Sequence, residues 1–329
     1  MDVNRSEFAI EATGICKYYG GKQKKAALNG FQMQVPAGSV CGLLGPNGAG
    51  KTTALKIFAT LLTLDGGSAS VAGFNVMTQA RQVRENIGLV GQYAAVDEIL
   101  TGKQNLVMFG RLNHLTQREA QFRADELLDQ FELKAASNVQ VAKYSGGMRR
   151  RLDLASSLIT SPAVLFVDEP TTGLDPVGRR EVWAAIRSRV ACGTTVLLTT
   201  QYLEEADQLA DRISMLKDGC VIAEGTPEQL KSAFSGDWLD IILYPGTDIT
   251  QVAQIIQRAA SGDIQINIEA NRISVPAKDR VKTLVSVGAA LSEAQIDPED
   301  IQLRRSSLDE VFIHLTGPQS GQQIQEVRA

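Results

Sequence analysis

The chain has 329 residues, 44% of them hydrophobic and 21% charged, with a formal net charge of −4. That length exceeds what one hydrophobic core ordinarily serves, so two domains are expected, and the composition is that of a globular protein. The acidic balance gives no support for a nucleic-acid partner at the level of the whole chain. The four cysteines, Cys16, Cys41, Cys192 and Cys220, form no C-x-x-C pair, and only two histidines are present, which speaks against a zinc site. They read as reduced, mostly buried thiols of a cytosolic protein. No apolar run approaches the roughly 18 residues of a spanning helix. The opening residues, MDVNRSEFAIEATG, hold no apolar signal core. A soluble chain is expected, with any membrane role coming through a partner.

Residues 7–45 alternate. Phe8, Ile10, Ile15, Leu28, Phe31, Met33, Val35 and Val40 predict short strands, broken by Gly20-Gly21, Asn29-Gly30 and Pro36-Ala37-Gly38. Within them Tyr19 could stack on an adenine, because a ring face accepts any base plane. An exposed or half-buried strand tyrosine is the plainer reading. Val40, Leu43 and Leu44 then lead into Gly45-Pro46-Asn47-Gly48-Ala49-Gly50-Lys51-Thr52-Thr53, which fits G-x-x-x-x-G-K-[ST]. Behind it Ala54, Leu55, Ile57, Phe58, Leu61 and Leu62 carry helical spacing. Strand, glycine loop and helix together identify a phosphate-binding loop. Gly48 and Gly50 let the backbone turn tightly and aim N–H groups at phosphate oxygens. The helix N-terminus adds a partial positive charge. Lys51 would reach the β- and γ-phosphates, and the Thr52 hydroxyl would ligate Mg²⁺.

Asp65-Gly66-Gly67-Ser68 predicts a turn. Ile87, Leu89 and Val90 predict a strand ending at Gly91-Gln92. Gln92 then stands where doubly wound sheets present side chains to ligands, although a solvated loop glutamine would look the same. From about residue 93 to 160 helical periodicity takes over. Leu106, Val107 and residues 109–112 predict one helix. Phe122, Leu127, Leu128 and Phe131 predict the inner face of another, with Arg118, Glu119, Arg123, Asp125 and Glu126 outside. This stretch reads as a helical insertion in the sheet domain. It closes at Tyr144-Ser145-Gly146-Gly147-Met148. Ser145, Gly146 and Gly147 could form a second anion site at a helix start, or Ser145 could be a plain N-cap. The Arg149-Arg150-Arg151 run reads as a solvated helix face.

Val164-Leu165-Phe166-Val167 predicts a strand buried on both faces, as in a parallel sheet. Asp168 at its end is placed to hold Mg²⁺ through its water shell. Glu169, one residue on, points the other way and can act as general base toward a water attacking the γ-phosphate. Residues 171–176 predict a turn, 179–190 a helix, 195–200 another buried strand ending at Gln201, and 202–210 a helix. A hairpin around Lys217-Asp218-Gly219 follows.

These elements, in this order over about residues 7–230, resemble the ATP-binding cassette of an ABC transporter. The match consists of the glycine loop, Gln92, residues 144–148, residues 164–169, Gly173-Leu174-Asp175 and the strand ending at Gln201. The resemblance implies an α/β P-loop NTPase fold with a RecA-like core, an antiparallel β subdomain and a helical subdomain. It implies ATP and Mg²⁺ as ligands. Tyr19 becomes the adenine-stacking aromatic, and Gln92 a Mg²⁺ and water contact that senses the membrane partner. Ser145, Gly146 and Gly147 become the γ-phosphate contact made across a dimer interface, and Asp175 a residue at the dimer seam. It further implies a second copy bound head to tail, a separate integral membrane permease and a place on the cytoplasmic face of the cell membrane. Residues 149–155 and 199–207 resemble the daunorubicin/doxorubicin-resistance exporters of the family. Two departures from the family pattern stand out, one at both ends of the Ser-Gly-Gly motif and one at the switch position. Tyr144 and Met148 replace the usual Leu and Gln, which changes little because Ser-Gly-Gly carries the phosphate contacts. Gln201 replaces the usual switch His. A Gln amide donates a hydrogen bond but cannot become charged.

Residues 236–316 read as a separate α+β unit of order β-α-β-β-α-β, a split ferredoxin-like pattern. Its marks include a strand at 238–243, the alternation of Ile264, Ile266 and Ile268, and helical positions Val281, Leu284, Val285 and Leu291. Ser306 or Ser307 would cap a closing helix bearing Leu308, Val311, Phe312 and Leu315, a run that resembles the C-terminal end of the same exporter subunits. The default role is a dimer-stabilising or regulatory appendage. Residues 317–329 are Gln-rich and expected to be disordered. The cassette is thus expected to span residues 1–235. A non-transport cassette acting mechanically on nucleic acid or protein is the competing function, disfavoured by the charge. A nicotinamide-binding enzyme fails at the glycine spacing and at Lys51-Thr52.

Overall fold

The computed structural model describes residues 7–20, 25–92, 94–234, 237–259, 262 and 264–316. The chain divides into two compact units, Met1–Thr226 and Pro227–Ala329. The first unit opens with β1 (Phe8–Tyr19), β2 (Lys25–Pro36), β3 (Val40–Leu44) and α1 (Lys51–Phe58). Next come β4 (Gly66–Val71), β5 (Phe74–Asn75), α2 (Ala80–Asn86) and β6 (Ile87–Val90). Helices α3 (Gly102–Leu112), α4 (Gln117–Gln130) and α5 (Gly146–Ser157) form the insertion. The unit ends with β7 (Val164–Asp168), α6 (Pro176–Ala191), β8 (Thr195–Thr200), α7 (Leu203–Leu209), β9 (Arg212–Lys217) and β10 (Cys220–Gly225).

The sheet that positions the site has the order β10-β9-β3-β8-β7-β6, parallel from β9 to β6 with β10 antiparallel at the edge. Interior strands of such a sheet need apolar side chains on both faces. Val164, Leu165, Phe166, Val167, Val196, Leu197 and Leu198 meet that need and are fully buried. A second, antiparallel sheet runs β2-β1-β4-β5. Helix α1 is anchored between the sheets by aromatic contacts. The Phe58 ring lies 6.2 Å from Phe31 of β2 and 6.4 Å from Phe166 of β7.

Several expectations change. Phe8–Tyr19 and Lys25–Pro36 form two long strands, and Asn29-Gly30 interrupts neither. Ile15 pairs with Phe31 and Lys17 with Leu28, so β2 absorbs one extra residue as a bulge, with Gly30 at φ 69°. Gly66, Gly67 and Ser68 belong to β4 rather than to a turn. Leu61 lies beyond the end of α1 and is exposed. Helix α4 buries Ala120, Ala124, Leu127 and Leu128, which leaves Phe122 73% exposed on the opposite side. Two small alanines took the inner positions that apolar size had assigned to the phenylalanine. Both α3 and α4 start with capping boxes, Thr101 with Gln104 and Thr116 with Glu119. Among the described residues no helix is long and apolar enough to cross a membrane.

The second unit comprises α8 (Pro227–Phe234), β11 (Asp237–Ile242), α9 (Ile249–Ala259), β12 (Gln265–Asn267), β13 (Arg272–Pro276), α10 (Arg280–Glu293), β14 (Asp300–Arg305) and α11 (Leu308–Thr316). Helix α8 belongs here, so the division falls at residue 226 and not at 235. The sheet order is β12-β13-β11-β14, antiparallel throughout, which is the split β-α-β topology. Leu239, Ile241, Ile273 and Val275 pack with Val252, Ile256, Val287 and Leu291 of α9 and α10. Ile266 and Ile268 are exposed despite their alternation, as are Val281 and Val285. Ser307 caps α11 reciprocally with Glu310. The stretch expected to be a disordered tail, 317–329, lies outside the described residues.

Among the cysteines only Cys41, in the central strand β3, is buried; Cys192 is exposed and Cys16 and Cys220 are intermediate. Burial pushes the Cys41 thiol up to about 12. The thiolate is the reacting form, so Cys41 should be nearly inert at neutral pH. Alkylation with iodoacetamide at pH 8 should modify Cys192 first and Cys41 only on unfolding, as read by peptide mass mapping.

Candidate active site

Four loops leave the carboxyl ends of adjacent parallel strands. In sheet order, β3 leads into residues 45–50, β8 into Gln201, β7 into Asp168-Glu169 and β6 into Gln92. Ligands of open α/β sheets lie outside these ends.

The loop after β3 is shaped by close backbone approach. Gly50 caps α1 at φ 112°, and a Cβ there would lie 2.4 Å from the Ala27 carbonyl oxygen. A Cβ on Gly45 would lie 2.3 Å from the Leu216 carbonyl oxygen. Lys51 is buried, and its Nζ donates to the carbonyls of Gly45 at 2.6 Å and Pro46 at 3.2 Å. Burial lowers its pKa, and the nearby Glu169 and Asp168 carboxylates partly oppose that shift.

A cavity of about 340 Å³ gathers Tyr19, residues 47–53 and Glu169. It therefore brings together Tyr19, Asn47, Gly48, Ala49, Gly50, Lys51, Thr52, Thr53 and Glu169 of the predicted set. Gly45 and Pro46 join through Lys51. Gln92 joins through Glu169, its Nε2 donating to Oε2 at 3.4 Å, and Thr172 Oγ1 donates to the same oxygen at 3.4 Å. Glu169 has φ 47°, a left-handed conformation unusual for a residue with a side chain. Asp168 accepts a hydrogen bond from the Thr199 hydroxyl on neighbouring β8. Gln201 is exposed one residue past β8 and does not line the cavity.

Ser145, Gly146 and Gly147 also stand outside that cavity. Ser145 is the N-cap of α5, its Oγ accepting from Met148 N at 3.2 Å. Here the cap and the second-anion-site readings are compatible, since capping leaves the first helical N–H groups directed outward. A Cβ on Gly146 would touch Leu174, and one on Gly147 would approach Gly178, so this turn lies against the end of the 171–176 loop and the start of α6 of its own chain. Asp175 caps α6, accepting from Gly178 N at 2.6 Å.

Three contributors escaped the sequence reading. Lys25 lines the cavity; the basic residues following Gly20-Gly21 were its one signal. Thr199 orients Asp168 from another strand. The arginine run is not a solvated face. Arg149 pairs with Glu98, Arg151 with Glu181, and Arg150 is buried against main-chain carbonyls.

The family described as ABC transporter matches residues 28–172. The daunorubicin resistance ATP-binding protein DrrA2 of Streptomyces coeruleorubidus is 54% identical over 94% of this chain and 95% of its own length. This chain belongs to the ABC transporter ATP-binding family. The daunorubicin/doxorubicin resistance ATP-binding protein of Streptomyces peucetius is 46% identical over 94% of this chain and 92% of its own. The Nod factor export ATP-binding protein I of Sinorhizobium fredii is 36% identical over 95% and 88%. Among solved structures, a dimeric ATP-binding cassette in a post-hydrolysis state with ADP and Pi superposes with TM-score 0.59 at 25% identity, covering 66% of this chain and 98% of its own. A component of a Clostridium perfringens ABC transporter complex gives TM-score 0.63 at 26% identity, covering 69% and 92%.

As an ABC cassette the chain binds nucleotide and is an ATPase. Among the described residues no cluster of three His, Cys, Asp or Glu could cage a metal by itself. The oxygen donors of Thr52, Gln92 and Asp168 are hard ligands of the kind Mg²⁺ takes together with phosphate oxygens and water. Gly50→Ala should test the loop geometry. The strained φ and the collision with Ala27 should cost about 2 kcal/mol or more, with loss of ATP binding, read by urea unfolding and fluorescent-nucleotide titration.

Proposed function

We propose that this chain is the ATP-hydrolysing subunit of an exporter of the antibiotic-resistance type, working as a head-to-tail homodimer that drives a separate membrane permease. The observation that carries the dimer is the separation of the Ser145-Gly146-Gly147 turn from the cavity built by the chain's own glycine loop. A second copy supplies that turn to the γ-phosphate. The export role is supported by relatives named for drug resistance and for Nod factor export, which match nearly the whole chain. The permease holds the subunit at the cytoplasmic face of the membrane.

In this reading Tyr19 stacks on the adenine, residues 45–53 wrap the phosphates and Lys51 neutralises the β and γ oxygens. Glu169 accepts the proton of the attacking water. Thr52, Asp168 and Gln92 hold Mg²⁺, which when bound supplies charge neutralisation at the phosphate oxygens. Gln201 donates a hydrogen bond to the γ-phosphate, and Asp175 lies at the seam between copies. The second unit is an appendage that stabilises or regulates the dimer.

Glu169→Gln should lower kcat by roughly 10²-fold or more and leave an ATP-bound dimer on gel filtration. A variant that stays monomeric with ATP would count against the shared site. Gln201→Ala should lower kcat about tenfold, whereas Gln201→His should retain turnover and acquire a pH dependence between pH 5 and 8. Unchanged kcat in both would remove Gln201 from catalysis.

A further inference from the structure

Arg150 lies on α5, in the turn following the Ser145-Gly146-Gly147 start, and only 7% of it is exposed. Its guanidinium is occupied on every side. Nε donates to the Pro170 carbonyl at 2.8 Å, and Nη1 donates to the Gly91 carbonyl at 2.7 Å and to Asp153 Oδ2 at 3.3 Å. Nη2 donates to the carbonyls of Asp168 and Glu169, both at 3.3 Å. One planar group therefore grips the backbone before, at and after Glu169, together with the residue preceding Gln92. Asp153, also buried, accepts the Ala95 N–H at 2.8 Å and so holds the far end of the Gln92 loop.

Glu169 needs such a grip. Its left-handed backbone persists only where its surroundings over-determine it. Its N–H donates to the Thr199 carbonyl at 2.9 Å, and its own carbonyl faces Arg150. The Gln92 amide in turn reaches the Glu169 carboxylate.

We propose that Arg150, backed by Asp153, is a positioning residue for ATP hydrolysis that ties the Glu169 carboxylate and the Gln92 loop to helix α5. Whatever engages the Ser145-Gly146-Gly147 end of that helix is thereby felt by the hydrolytic carboxylate of the same chain. The proposal rests on the reading of Glu169 as the general base and of the α5 start as the contact to the second copy's ATP. A lysine cannot replace the guanidinium, because its three donors radiate from one atom and cannot span four carbonyls.

The test uses the full chain with Arg150→Lys, which keeps the charge beside Asp153. A second variant, Arg150→Gln/Asp153→Asn, removes both charges together so that neither is left buried alone. Each is compared with the parent chain in thermal unfolding and steady-state ATPase kinetics, and Arg150→Lys is repeated in the Glu169→Gln background by single-turnover hydrolysis. Both variants should fold, lose roughly tenfold or more in kcat, and shift KM for ATP by no more than about threefold. In the Glu169→Gln background Arg150→Lys should add less than about a twofold loss, because it acts through the carboxylate already removed. An unchanged kcat, a KM that rises with the loss, an equal loss in both backgrounds, or failure of both variants to fold would overturn the proposal. A Glu169→Gln chain that keeps its kcat would instead overturn the general-base reading, and the proposal with it, without reference to Arg150.

Discussion

The shape of the glycine loop depends on stretches of backbone approaching more closely than a side chain would allow. Gly45 lies against the carbonyl of Leu216 in β9, and Gly50 against that of Ala27 in β2. Gly219, in the turn joining β9 and β10, also abuts Ala27. Its N–H donates to Ala49 and its carbonyl accepts from Asn29, each at 3.0 Å. The phosphate loop is thus wedged between the parallel sheet and the antiparallel one chiefly by close main-chain approach. Interiors packed this closely cannot yield by an ångström to accept a methyl group. The orientation of the loop, and with it the aim of the α1 N-terminus, is therefore fixed by both sheets at once.

The loop was legible in the sequence because its chemistry is local. Phosphate binding needs glycines, a lysine and a hydroxyl at fixed spacing, and the strand and helix that flank them show their own periodicity. The ends of β6, β7 and β8 were legible for a similar reason, since apolar runs stop there and polar residues begin. What failed to show was long-range. Nothing near Arg150 announces that Gly91, Asp168, Glu169 and Pro170 will offer it carbonyls, and three arginines in a row look like a wet surface. Phe122 failed in the opposite sense, because its size suggested a burial that Ala120 and Ala124 took instead. Asn29-Gly30 has the letters of a turn, yet a bulge satisfies the same preference for positive φ without ending the strand.

The second unit shows the same limit. Arg304 makes a bidentate contact with Glu310 at 3.0 and 2.7 Å, reaches Asp240 at 2.6 Å and sits 5.9 Å from the centre of the Trp238 ring. Glu310 and Asp240 hold its pKa above the ordinary arginine value. Glu310 meanwhile caps α11 through Ser307, and Trp238 donates to Ser306 at 3.0 Å. The Leu308-Asp309-Glu310-Val311-Phe312 run could be matched to a family from its letters. Its physical meaning, an acidic residue that starts a helix and fastens it to a half-buried arginine, depends on Asp240, which lies 64 residues before that arginine in the chain.

On the proposed reading, glutamine at 201 changes how charge is distributed around the γ-phosphate. A histidine there would gain or lose a proton between pH 5 and 8, whereas an amide stays neutral throughout. On the proposed reading the cationic contribution then comes from Lys51, whose ammonium is disfavoured by burial and supported by Glu169 and Asp168. Bound phosphate adds to that support, so Lys51 keeps its charge when the site is filled. With no second titrating cation at the switch position, turnover leans on donors already in place and on the direction in which the Glu169 carboxylate points. That direction is set by a left-handed backbone held between the Thr199 carbonyl and the Arg150 guanidinium. On that reading, a site without a titrating side chain at the end of β8 leans the more on a base held firmly at the end of β7.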